Sequence, residues 1–112
     1  MSPQPHSASL QRTAPIFAAL GDETRLYVVA QLCAGGPMSI TRLAEGADVT
    51  RQAVTKHLNV LEGARLVRSH RAGRERVWEL EIGRLDDARR TLDFITDRWD
   101  EALARLQRLV EK

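Results

Sequence analysis

Thr50-Arg51-Gln52-Ala53-Val54-Thr55-Lys56-His57-Leu58-Asn59-Val60-Leu61-Glu62 is the stretch on which the rest of the chain hangs. Thr50 is a good N-cap, and Val54, His57, Leu58 and Leu61 recur at helical spacing on one face. Gln52, Thr55, Lys56 and Asn59 fall on the opposite face, with Arg51 in the exposed first turn. That outward set can read base edges, since Gln and Asn pair with adenine and Arg or Lys reaches guanine O6 and N7. Just upstream, Ser39 is a second N-cap, followed by Ile40, Leu43, Ala44 and Ala47 at helical spacing. A tight turn at Asp48-Val49 joins the two. The pair is a helix-turn-helix over residues 39–64.

Downstream the period changes. Leu66 to Arg71 and Arg76 to Leu80 are strand-like runs around Ala72-Gly73-Arg74-Glu75, which predicts a hairpin over 66–80. Helical periodicity returns from Arg84 to Lys112, about 43 Å of helix. Within it Leu85, Ala88, Leu92, Ile95, Trp99, Ala102, Leu106 and Leu109 alternate in steps of three and four, widened by Leu103 and Val110. That is an apolar seam fit for a second copy of the chain, shared with the first helix through Ile16, Phe17 and Leu20. Upstream, residues 1–9 read as a disordered tail. A helix follows over Leu10–Leu20, its regular part confined by Pro15 to the later turns, with Gly21 as its stop. Asp22 caps the next helix, whose stripe Leu26, Val29, Ala30 and Cys33 ends at Gly35-Gly36-Pro37. The order predicts a mainly α (α+β) fold. It is a winged helix-turn-helix over residues 10–112 with a long C-terminal dimerisation helix over 84–112.

Composition narrows the function. The 112 residues, 43% apolar and 29% charged, are one soluble domain's worth, with no room for a separate catalytic half. No apolar run approaches the ~18 residues of a membrane span and no signal peptide is recognisable, so a cytoplasmic protein is expected. Fifteen of the 17 basic residues are Arg, a bias that fits either phosphate recognition or a GC-rich genome. The formal charge of +2 is unevenly spread. Residues 1–36 are neutral, 37–78 carry eight basic against four acidic residues, and 79–112 carry seven against nine. The basic excess sits on the proposed groove-reading unit. Ser39, Thr41, Arg42, Thr50, Asn59, Arg71, Arg74 and Arg76 are the candidate contacts to DNA backbone.

Several strings resemble a known family. Leu20-Gly21-Asp22-Glu23-Thr24-Arg25-Leu26, Leu43-Ala44, the Thr50–Glu62 stretch, and Leu66-Val67 with Arg71-Ala72-Gly73-Arg74 are similar to the ArsR/SmtB family of bacterial repressors. The resemblance spans roughly residues 13 to 105. It implies a homodimeric winged helix that represses transcription from an inverted-repeat operator and releases DNA on binding an effector. By position it implies base reading by Arg51, Gln52, Thr55 and Lys56, and a wing at the Arg-bearing hairpin. Two departures stand out. Asp48 replaces the usual turn glycine and is expected to tolerate a left-handed conformation there, with Gly46 two residues earlier. Arg65 stands where a glycine usually ends the recognition helix, with Gly63 before it. Either the helix stops early at Gly63 or Arg65 takes positive φ at a cost of roughly 1 kcal/mol, and the left-handed conformation is expected on Arg65.

The metal-sensing motifs of that family are missing. Ser39-Ile40-Thr41-Arg42-Leu43-Ala44-Glu45 offers no thiolate, and the last helix has aspartates but no His. Zinc-like ions need imidazole or thiolate, so neither a metal nor another cofactor is expected. Cys33, on its apolar stripe, reads as a buried small hydrophobe rather than a redox sensor, and His57 as a hydrogen-bonded core histidine. No Ser/His/Asp or Cys/His set is available, which argues against an enzyme. Double-stranded DNA and a second copy are the expected partners, and an unknown small-molecule effector stays open. The competing function is a winged helix that binds protein rather than DNA.

Overall fold

Short polar side chains start the helices, and a change of sequence period starts the sheet. The computed structural model describes residues 7–111. Its order is α1 (Ser7–Leu20), α2 (Glu23–Gly35), β1 (Met38–Ser39), α3 (Ile40–Glu45), α4 (Arg51–Gly63), β2 (Val67–Ala72), β3 (Glu75–Leu80) and α5 (Ile82–Val110). Asp22, Ser39 and Thr50 cap α2, α3 and α4, each accepting a backbone N–H three residues on, at 3.0, 3.3 and 3.1 Å. Part of the stretch expected to be a disordered tail is helical instead. Residues 7–9 open α1, and residues 1–6 lie outside the described residues. Pro15 sits inside that helix without ending it. The turn ahead of it is tied down by Thr13, whose hydroxyl donates to Ser9 O at 3.0 Å and accepts from Thr91 of α5 at 3.2 Å.

The sheet is antiparallel in the order β1-β3-β2. Ala72 pairs with Glu75, so Gly73 and Arg74 make a two-residue turn with Gly73 at φ 67°. Positive φ at the first central position alone is the pattern of a type II′ turn, whose twist suits a hairpin. The two-residue β1, pairing Met38 with Trp78 and Ser39 with Val77, was not foreseen; a run so short has no period to detect.

One core joins every layer. Ile16 and Ala19 of α1, Val28, Val29 and Leu32 of α2, Leu43 of α3, Val54, Leu58 and Leu61 of α4, and Trp78 of β3 are all buried. The buried face of α2 differs from the expected stripe, because apolar residues surround most of that helix. Val29 is buried as expected, but Leu26, Ala30 and Cys33 face solvent. Cys33 is therefore not the buried hydrophobe anticipated. Ile16 is wholly buried in the chain's own core, against the expectation that it faces a partner, and Phe17, Leu20 and Leu85 pack partly buried against that core.

The end of α4 follows its sequence closely. Arg65 has φ 64°, Leu66 N–H bonds to Leu61 O at 2.9 Å, and Arg65 N–H to Glu62 O at 2.9 Å. This is a Schellman stop, sealed by the buried pair Leu61 and Leu66. Arg65→Gly should relieve the strain and raise stability by up to about 1 kcal/mol, offset in part by the entropy of the unfolded chain. Urea denaturation checks it, and a destabilised variant would contradict the account. The α3–α4 turn departs from expectation, because among the described residues Arg65 is the non-glycine residue with positive φ, and Asp48 has none. Gly46, at φ −96°, needs no left-handed freedom; a Cβ on it would meet the Tyr27 hydroxyl, which would have to swing aside.

Candidate nucleic-acid interface

Burial divides α4 into two faces. Val54, Leu58 and Leu61 are buried, which leaves Arg51, Gln52, Lys56 and Asn59 exposed on the other side. Thr55 is half-buried, and its hydroxyl donates to Arg51 O at 2.9 Å. It keeps an oxygen lone pair and a methyl group to offer a base. The caps Ser39 and Thr50 use oxygen lone pairs to hold backbone N–H groups, so each keeps its O–H to donate. Thr41 and Arg42 lie exposed on α3.

In the hairpin, Arg71, Arg74 and Arg76 are all exposed. Arg76 donates to Ser69 Oγ at 2.7 Å, which aims it along the sheet. Neighbouring Arg68 is neutralised instead, bonded to Glu79 at 2.7 Å and facing Glu81 at 3.4 Å. The Glu79 hydrogen bond and the two carboxylates push the Arg68 guanidinium pKa further up. Along the first part of α5 the pattern is again compensation, with Arg89 and Arg90 sharing Asp86 and Arg98 bonded to Glu101. Arg105 and Arg108 further on make no such bond among the described residues. The side chains of Arg42, Arg51, Lys56, Arg71 and Arg74 likewise make no hydrogen bond or ion pair among the described residues. Cations held without partners beside a polar helix face suit an external polyanion.

Behind the reading face lies a polar cluster. Arg25 Nε donates to Ala19 O at 2.5 Å, and its Nη1 lies 3.4 Å from His57 Nδ1. Asp22 Oδ2 is 3.7 Å from the same ring nitrogen. The Arg25 backbone N–H bonded to Asp22 holds its carboxyl below the usual 3.8 against some desolvation, with the charge of Arg25, and that of His57 when its ring is protonated, adding to the effect. His57 is thus half-buried and hydrogen-bonded, as its spacing implied, but its Arg25 partner carried no signal of that role. Among the described residues no three His, Cys, Asp or Glu side chains gather as a metal site would need, and no helix is long and apolar enough to cross a membrane.

A recognition helix with an outward polar face, a capped preceding helix and an Arg-tipped hairpin together define a winged helix-turn-helix. Comparison agrees. A helix-turn-helix domain family matches residues 20–70. The HTH-type transcriptional regulator Rv2034 of Mycobacterium tuberculosis is 40% identical over 95 residues, 85% of each chain. An ArsR-like transcriptional regulator from Rhodococcus is 36% identical in structure-based alignment, with TM-score 0.72, covering 91% of this chain and 95% of that one. A homodimeric winged helix-turn-helix DNA-binding domain from Mycobacterium bovis shares the fold at 23% identity and TM-score 0.63, over 92% of this chain and 94% of that one. The chain belongs to the ArsR family of winged helix-turn-helix transcriptional regulators.

Proposed function

We propose that this regulator is a homodimeric repressor that binds an inverted-repeat operator in double-stranded DNA, in the cytoplasm, with no metal and no catalytic activity. The observation that carries the reading is the exposed polar face of α4, where Gln52 and Asn59 stand with the unpartnered cations Arg51 and Lys56. Arg51, Gln52, Thr55 and Lys56 read bases in the major groove, with Thr55 offering its methyl to a thymine methyl. Ser39, Thr41, Arg42, Thr50, Asn59, Arg71, Arg74 and Arg76 hold phosphates.

The second copy docks on α5. Beyond its first turns that helix leaves the core, and Leu92, Ile95, Trp99, Leu103 and Leu106 stand about half exposed or more in one seam. Contiguous apolar surface on this scale marks an interface, and steps of three and four match a helix partner. A twofold axis there sets two copies of α4 about 34 Å apart, one turn of DNA.

Selection of duplexes from a random pool tests the function. An inverted repeat is expected, whereas absence of any enriched duplex would return the chain to a protein-binding role. Arg74→Ala should weaken binding to every duplex alike and lower the salt dependence by about one phosphate contact. An unchanged salt slope in an anisotropy titration would remove the hairpin from the interface.

A further inference from the structure

We propose that Arg25, Asp22 and His57 form a polar latch that positions the recognition helix, and that protonation of His57 resets it. The inference rests on the DNA-binding reading only for what α4 is positioned against.

The backing of α4 is apolar, and apolar contacts fix distance better than direction. The latch supplies direction. Arg25 stands in the first turn of α2, and its planar fork reaches two other helices at once: Ala19 O in the last turn of α1 and His57 Nδ1 on α4. A guanidinium can only donate, so Nδ1 accepts and the neutral ring carries its hydrogen on Nε2. Asp22, whose Oδ2 already accepts the Arg25 N–H, lies 3.7 Å from the same nitrogen. Nδ1 therefore has two neighbours, a donor that cannot accept and an acceptor that cannot donate. A proton on Nδ1 turns the ring into a donor toward Asp22 and sets it against the like charge of Arg25. One proton exchanges the α4 partner and releases the tie to the end of α1. Asp22 and Arg25 are the charged groups facing the ring. Among the described residues α1, α3 and β2 place no charged side chain in hydrogen-bond or ion-pair contact with it.

The first test uses the labelled full chain without DNA. NMR spectra are followed from about pH 8 to about pH 5.5, the range in which an imidazole ordinarily gains its proton. Amides of Ala19 and of the middle of α4 should move with the His57 ring at one shared midpoint. His57→Asn keeps an acceptor near the Nδ1 position and cannot titrate, so this response should vanish. Arg25→Lys keeps the charge but cannot span both acceptors, and should uncouple Ala19 from the ring. If the amides ignore the ring, or move as before in His57→Asn, the latch is overturned. The second test reads discrimination between a selected duplex and a scrambled one. An added charge strengthens both affinities together, so their ratio isolates helix position. In a His70→Gln background, which removes the imidazole of the wing, that ratio should fall at least about fivefold on acidification, and not in His57→Asn. A constant ratio, or an equal fall in both proteins, would overturn the inference. Failure to select any duplex defeats the DNA-binding reading while leaving the first test to judge the latch.

Discussion

Trp99→Asp is expected to convert the proposed dimer to a monomer. Trp99 is 65% exposed in the isolated chain, in the middle of the α5 seam. Covering that fraction of an indole is worth about 3 kcal/mol per chain, and a twofold interface counts it twice. Losing both amounts to roughly four orders of magnitude in the dimer dissociation constant, before the cost of a buried carboxylate is added. The monomer should stay folded, because Trp99 makes no contribution to the buried core. Sedimentation equilibrium gives the mass, and circular dichroism shows whether helix is retained. A variant still dimeric at low micromolar concentration would mean that the seam is misplaced.

Leu58→Ala is expected to cost about 3 kcal/mol of stability, a large part of the 5–15 kcal/mol typical of a small domain. Leu58 is 0% exposed and lies where α4 meets the core, so the lost methyl groups leave a cavity as well as a transfer cost. Its chain neighbour Asn59 is exposed, and Asn59→Ala should stay within about 0.5 kcal/mol. The contrast between adjacent residues tests the two-faced reading of α4 directly. Thermal denaturation should place the Leu58 variant roughly 15 °C lower. Equal losses at the two positions would mean that the helix is rotated about its axis.

Those faces were legible in the sequence because α4 is strongly two-sided. Val54, Leu58 and Leu61 are buried on one side and Gln52, Lys56 and Asn59 exposed on the other, although polar His57 joins the first face and apolar Val60 lies exposed. The caps at Asp22, Ser39 and Thr50 were legible for a similar reason, since each acts on an N–H only three residues away. Arg65 could be assigned because it stands where the resembled family has the glycine that ends this helix, and the Schellman stop between Leu61 and Leu66 puts the positive φ there. Where local rules compete with packing, the sequence misleads. Helix α2 is apolar on several faces, so only its neighbours decide that Val28 and Leu32 are buried while Leu26 and Cys33 are not. Ile16 and Leu92 look alike by periodicity, yet one is covered by the chain's own core and the other is bare. The Asp48 expectation rested on the habits of a residue type, while the turn forms with no positive φ at Asp48 or Gly46. The latch was hidden because Asp22, Arg25 and His57 meet only after α4 has folded back on α2.

If two copies of α4 read one DNA face about a turn apart, a hydroxyl-radical footprint on a selected duplex will show it. Two protected patches are expected, symmetric about the centre of the site and separated by about 10 base pairs, that disappear together in Trp99→Asp. A single protected patch, or two that survive in the monomeric variant, would contradict that arrangement.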